Sequence, residues 1–216
     1  MRVDVHLSEE SVESELATLY ERPQLRGVLS SGVPGSPTCV PHVHAYTRHC
    51  DGEHFFYLVD VSMCRLAGYT VFSRMVELPK RADRHCRSPH SKVHPAYQRM
   101  GLATWAYRSM LASGMCLVSG ARQSAAAHRL WMRLGHEHPL RLVDIAGREV
   151  RLREAAAFSD VPDDLPTRMI LLGKGWSTEN LCVRAGVASG PVGRLSPGRT
   201  EPRCRTIEPE IACASA

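Results

Sequence analysis

The chain has 216 residues, of which 44% are hydrophobic and 23% charged, with 27 Lys and Arg against 22 Asp and Glu and a formal net charge of +5. That length suits one substantial domain with its own core plus a tail, and no apolar run reaches the roughly eighteen residues that a membrane-crossing helix needs. The modest positive charge suits an anionic ligand without requiring nucleic acid.

The first ten residues, MRVDVHLSEE, hold no apolar core of a signal peptide. The eight cysteines are scattered, with no C-x-x-C. Both features predict reduced thiols and a cytoplasmic protein. Val3, Val5 and Leu7 alternate, which predicts a strand over Met1–Leu7. Ser8-Glu9-Glu10-Ser11 opens a helix carrying Val12, Leu16 and Leu19. Gly32–Pro41 reads as a loop, Phe55–Val59 and Leu66–Val76 as two strands that pair antiparallel, and the basic stretch Lys80–His90 as an exposed loop.

From Lys92 to Leu134 the expected order is strand, helix, strand, helix. A short strand around Val93 is stopped by Pro95, which cannot donate to a ladder. A helix follows over Gly101–Ser113, then an apolar strand Met115–Val118 broken by Ser119-Gly120, then a helix from about Arg122 to Leu134 with Ala127, Leu130, Trp131 and Leu134 on one stripe. Two strands joined by one helix should be parallel. Leu140–Ile145 and Glu149–Leu152 flank Ala146-Gly147 as a hairpin, and Arg168–Leu172 is a last strand. Beyond Gly173 the composition shifts to Gly, Pro, Ser and Arg, so 1–175 is expected to be the folded domain and 176–216 a disordered tail. The fold class expected is α/β: a mixed, mainly antiparallel twisted sheet with helices on both faces.

The turn between the Val93 strand and its helix carries the chemistry. A helix start leaves backbone N–H groups unpaired and holds partial positive charge, so it binds anions, above all phosphate. Gly101 and Ala103 are small enough for close approach, and Gln98 and Arg99 add polar and positive groups. No G-K-[ST] follows and no G-x-G-x-x-G is present, so this is neither a Walker loop nor a Rossmann fingerprint. The bland alternative is a plain strand-to-helix connection.

Val93-His94-Pro95-Ala96-Tyr97-Gln98-Arg99-Met100-Gly101-Leu102-Ala103 resembles the acetyl-CoA motif of the GCN5-related N-acetyltransferase (GNAT) family, Val-x-Pro-x-x-[Gln/Arg]-x-x-Gly-x-[Gly/Ala]. Gln98, Gly101 and Ala103 fill its defining positions, and the resemblance extends over about residues 54–136. It implies a GNAT-like acyl-CoA N-acyltransferase fold. Acetyl-CoA would be the cosubstrate, held by Val93, Gln98, Arg99, Met100, Gly101, Leu102, Ala103 and Thr104, with Arg122 and Arg129 as further phosphate contacts. A backbone amide near Val93 or His94 would face the oxyanion of the transfer. The acetyl group would pass directly to an amine in a ternary complex, the acceptor being a small molecule, a protein or an aminoacyl-tRNA.

The family's usual tyrosine in the last helix is replaced by Trp131, whose indole cannot act as an acid at neutral pH. His94, Ser119 and Ser124 are therefore the candidate catalytic residues, each with a bland alternative: a surface histidine at a strand end, or serines that cap and turn. The run from Ser119 to Trp131 resembles a phage and prophage subset of the family. A rival of another class is a non-catalytic GNAT-like binding module or a phage-type nucleic-acid-modifying protein. Nucleic acid and a second copy of the chain are further candidate partners, and a membrane is not. The histidines and cysteines of Cys39–His54 and His85–His90 match no metal-ligand spacing, so no metal is expected.

Overall fold

The computed structural model describes residues 1–6, 8–153 and 166–189. The chain opens with a two-residue strand, β1 (Arg2–Val3), and two helices, α1 (Glu9–Tyr20) and α2 (Pro23–Leu29). Ser8 caps α1 by accepting from the Ser11 N–H. A meander follows: β2 (Ser36–Pro37), β3 (Val43–Cys50), β4 (Glu53–Asp60) and β5 (Arg65–Ser73). Next come α3 (Lys80–Asp83), β6 (Cys86–Val93), α4 (Leu102–Ala112), β7 (Cys116–Val118), β8 (Arg122–Gln123) and α5 (Ala125–Leu134). The chain then forms β9 (Leu140–Ala146), β10 (Glu149–Leu152), β11 (Thr167–Leu171), α6 (Thr178–Ala185) and β12 (Ala188–Ser189).

Ten strands form one sheet in the order β12-β10-β9-β11-β7-β6-β5-β4-β3-β2. All its pairs are antiparallel except β10–β12 and the central β6–β7. β1 pairs separately, parallel to β8. The expected class, a mixed and mainly antiparallel sheet with helices on both faces, is what the chain forms.

Alternation along the strands assigns the faces. On β4, Phe56 and Leu58 point toward α4, while Tyr57 and Val59 pack on Val12, Leu16 and Leu25 of α1 and α2. On β7, Leu117 packs with Tyr107, Met110, Trp131 and Leu134 of α4 and α5, while Cys116 and Val118 pack with Leu181 and Ala185 of α6 and Ala82 of α3. So α4 and α5 cover one face. On the other face, α1 and α2 cover the β4–β5 half, and α3 and α6 cover the half beyond β6.

Several expectations change. β3 is a full strand between Val43 and Cys50, where only a cluster of histidines and cysteines stood out. Lys80–His90 is not a loop: it supplies α3 and most of β6, because Cys86, Ser88, His90 and Lys92 alternate with Arg87, Pro89, Ser91 and Val93. Helix α5 starts at Ala125 rather than Arg122, since Arg122 and Gln123 are drawn into pairing with β1. The hairpin between β9 and β10 turns on Gly147-Arg148. The first strand covers only Arg2–Val3, and Leu7 lies outside the described residues.

The tail expectation fails for residues 177–189. Ser177 caps α6 by accepting from the Asn180 N–H, and Leu181 and Ala185 are fully buried. Residues 190–216 of the expected tail lie outside the described residues. No helix among the described residues is long and apolar enough to cross a membrane.

Candidate active site

The parallel pair β6–β7 is short. Cys86 pairs with Cys116 and Arg87 with Leu117, and there the pairing ends. β6 runs on beside β5 as far as Val93, while β7 stays with β11. The two strands therefore part, and the edge of β6 that faced β7 is left without a ladder partner among the described residues. The His94 N–H donates to the Ala67 carbonyl on the β5 side. Backbone groups alternate in direction along a strand, so the N–H groups of Val93 and Ser91 point the other way, into the gap. Pro89 sits where the strands part, and it has no N–H to leave unpaired.

At the end of β6 the chain makes one 3₁₀ turn over Pro95–Tyr97. The Tyr97 N–H donates to the His94 carbonyl at 2.8 Å, and the Gln98 N–H to the Pro95 carbonyl at 3.2 Å. The Gln98 side chain reaches back to the Val93 carbonyl at 3.4 Å. Arg99 then takes φ 62° and Gly101 φ 89°, two left-handed residues that aim the chain into α4. Such a φ favours glycine, and a Cβ on Gly101 would also lie 3.4 Å from Cys39 Sγ.

The first bond inside α4 runs from the Trp105 N–H to the Gly101 carbonyl at 2.8 Å. The N–H groups of Leu102, Ala103 and Thr104 thus precede any intrahelical acceptor. They open beside a groove of about 480 Å³ lined by Cys39, Met100, Gly101, Thr104, Arg108 and Arg133, among others. The Leu102 side chain is buried, so only its backbone can face a ligand there. Arg108 is forked to Glu137. Arg122 is paired with Asp4 at 2.9 Å, beside β1.

The three candidate catalytic side chains are differently placed. His94 accepts the Ala96 N–H at Nδ1, 3.2 Å away, and turns Nε2 toward Glu13 Oε1 at 3.7 Å, so its lone pair is engaged in capping the turn. Ser119 is wholly buried: its Oγ accepts the Met169 N–H at 3.0 Å and donates to the Gly120 carbonyl at 3.2 Å. Ser124 caps α5 by accepting from the Ala127 N–H at 3.1 Å. Trp131 is buried edge-on against Tyr107. Burial pushes the Tyr107 hydroxyl up to about 12, although a bond to Ser91 opposes the shift.

On the opposite face of β6 lies a polar cluster that the sequence reading did not single out. The Tyr69 hydroxyl donates to Glu15 Oε1 at 2.7 Å, and Lys92 Nζ pairs with Glu15 Oε2. These bonds, Lys92's first and Tyr69's next, hold the Glu15 carboxyl below its ordinary value. His90 lies beside Tyr69 with ring centroids 6.1 Å apart. Partial desolvation, then the Lys92 ammonium, lowers the His90 imidazole against a weaker upward pull from Glu15. The available signal was the period-two run Ser88, His90, Lys92 immediately ahead of the motif. Among the described residues no three His, Cys, Asp or Glu side chains gather as a metal site, although His49 Nε2 and His54 Nδ1 lie 3.2 Å apart.

No family model and no curated protein matches the chain. Among solved structures it is similar to one described as a GnaT-family acetyltransferase from Bordetella pertussis, with 26% identity over 55% of this chain and a TM-score of 0.34. The match spans 64% of that protein, less than two thirds of its length. It is also similar to an N-acetyltransferase from Staphylococcus aureus, at 14% identity over 76% of this chain and 93% of that one, with a TM-score of 0.35. A spermidine N-acetyltransferase chimera of Vibrio cholerae SpeG and hSSAT gives 12% identity over 78% and 93% of the two chains, with a TM-score of 0.33. These superpositions are partial, and the functional reading rests on the chain's own motif and geometry.

Proposed function

We propose that the chain is an acetyl-CoA-dependent N-acetyltransferase. The observation that carries this reading is the coincidence of two features at one end of β6: a central parallel pair that parts after Arg87 and Leu117, and a turn whose left-handed Arg99 and Gly101 present free N–H groups at the head of α4. An anion fits the second feature. An extended amide-bearing chain fits the first, since the Ser91 and Val93 N–H groups lack strand partners there among the described residues.

In this reading the N–H groups of Leu102, Ala103 and Thr104 hold the pyrophosphate, with Gly101 keeping the approach open. The Ser91 N–H pairs with the pantetheine arm. The thioester supplies an activated acyl carbon. The Val93 N–H is the oxyanion donor, because that of His94 is bonded to Ala67. The acceptor nitrogen bonds to the acyl carbon, the carbon–sulfur bond breaks, and the electron pair leaves on sulfur. Trp131 takes no part in protonating that thiolate, being buried and a donor of negligible acidity.

The test is calorimetric titration with acetyl-CoA of the wild-type chain and of Gly101→Glu. Saturable micromolar binding that weakens at least tenfold in the variant is expected, from the added bulk, the strained φ and the like charge. Equal affinity in the two proteins would sink the cofactor assignment.

A further inference from the structure

His94 is the joint between β6 and the cofactor turn. Its N–H donates to the Ala67 carbonyl of β5, and its own carbonyl accepts the Tyr97 N–H at 2.8 Å. Its Nδ1 accepts the Ala96 N–H at 3.2 Å. Pro95 has no N–H, so His94 provides the acceptors for the first two N–H groups of the 3₁₀ turn. From that turn Gln98, Arg99 and Gly101 lead into the head of α4.

An imidazole nitrogen accepts a hydrogen bond only while it carries no proton. The cap therefore exists only in the neutral ring with its proton on Nε2. That Nε2 faces Glu13 Oε1 of α1 at 3.7 Å, too far for a hydrogen bond. A protonated ring carries N–H at both positions, so it opposes the Ala96 N–H and is drawn to the Glu13 carboxylate. The side chain thus has two alternative holds: the turn when neutral, and α1 when charged. Tyr97 lies edge-on to the ring at 5.8 Å, with Asp60 of β4 and Arg65 of β5 on its hydroxyl. The paired Lys92 and Glu15 lie one step back along β6 and α1.

We infer that His94 is a positioning residue that couples acetyl-CoA affinity to pH, setting the turn when neutral and releasing it when protonated. The effect on the ligand rests on the acetyl-CoA reading and deepens it, whereas the cap itself does not depend on it. Imidazoles titrate between about pH 5 and 8, and affinity should fall as pH drops through that range. Linkage is reciprocal, so bound acetyl-CoA should in turn make the ring harder to protonate.

Wild type, His94→Asn, His94→Gln and His94→Ala would be titrated calorimetrically with acetyl-CoA at pH 8 and pH 5.5. The Asn Oδ1 takes the place of Nδ1 and accepts at either pH, whereas the Gln Oε1 takes the place of Nε2. At pH 8, His94→Asn should bind within about twofold of wild type, and the Gln and Ala variants at least about fivefold more weakly, the size of a lost cap. Acetyl-CoA carries a phosphate monoester that itself titrates near pH 6, so all four proteins weaken somewhat at pH 5.5. Wild type should weaken about fivefold more than His94→Asn over that interval, because only wild type also loses its cap. Nitrogen NMR of the free wild-type chain at pH 8 should place the imidazole proton on Nε2. A proton on Nδ1, equal pH dependence in wild type and His94→Asn, or equal affinity of the Gln and Asn variants at pH 8 would each overturn the role of His94 and leave the cofactor site standing. Failure of wild type to bind acetyl-CoA at either pH would overturn both readings.

Discussion

The Tyr97 hydroxyl donates to Asp60 Oδ2 at 2.6 Å and accepts from Arg65 Nε at 3.0 Å. One side chain of the motif turn is thereby fixed to the ends of β4 and β5, and it is buried in the same cluster as Leu102 of α4. Tyr97 and Asp60 are both buried, so the bond is not freely exchanged for water. Tyr97→Phe should cost about 2 kcal/mol, in the range for a hydrogen bond to a charged group. In a chain of this size that lowers Tm by roughly 4–8 °C. Acetyl-CoA affinity should fall as well, since the turn loses its anchor. Thermal unfolding together with calorimetry checks both, and an unchanged Tm would mean that water replaces the hydroxyl.

Asp60 gives a pH prediction. Burial pushes its carboxyl up, but bonds from Ser62 and Tyr97 and from the Met63 and Ser62 N–H groups outweigh it and hold the pKa at about 2, against an ordinary 3.8. A folded-state value below the unfolded one means that the ionised group stabilises the fold above the unfolded pKa. That stabilisation is lost as pH falls through the folded pKa. The stability gap between wild type and Asp60→Asn should therefore be constant above about pH 5 and close as pH falls toward 2. Denaturant titrations at a series of pH values measure it. A gap that persists at pH 2 would mean that the asparagine is penalised for its shape rather than for its charge.

The motif turn, α4, β7 and the Trp131 stripe of α5 were legible because each is local: a proline stop, small residues at a helix start, a fully apolar run, a helical period. β6 was not, because its Lys, Arg and His content resembles a solvated loop. Only tertiary pairing with β5 turns Ser88, His90 and Lys92 into one face of a strand. α6 was missed for a related reason. Its two fully buried side chains, Leu181 and Ala185, sit in a polar segment where the pattern is too sparse to register. The roles of Ser119 and His94 depended on backbone partners far away or around a turn, Met169 and Ala96, which spacing does not disclose.

Gly68 on β5 faces Val93 across the ladder. A Cβ there would lie 2.7 Å from the Lys92 carbonyl oxygen and 3.1 Å from Val93 Cα, both backbone atoms that cannot swing aside. Gly68→Ala should therefore push β6 away from β5 just where the Val93 N–H faces the gap. The expected cost is about 1–3 kcal/mol, as for other overpacked sites, with acetyl-CoA affinity reduced. Gly27, in the exposed part of α2, has nothing within 4 Å of its Cβ position. Gly27→Ala should raise stability by up to about 1 kcal/mol, because alanine is the better helix former. Opposite signs in paired melts would confirm the contrast. Equal effects would show that contact with Lys92 and Val93 does not govern Gly68.

Helix α6 supplies the last prediction, because it separates a docked element from a loose tail. Leu181 is fully buried against the β7–β11–β9 half of the sheet, while Val183, two residues on, is 69% exposed. The helix is tied in at both ends. The Trp176 indole N–H donates to the Gly114 carbonyl at 2.8 Å, and Arg81 donates to the Val183 and Arg184 carbonyls. Leu181→Ala should cost about 2–5 kcal/mol through lost burial and the cavity left behind. Val183→Ala should stay within about 0.5 kcal/mol, as for other exposed sites. Chemical denaturation of the two variants reads the difference. Equal, small effects would mean that the segment does not pack on the sheet in solution. A large effect at Leu181 alone would extend the folded domain at least to the end of α6, and would explain why Cys116 and Val118 can stay buried on a face that α4 and α5 do not reach.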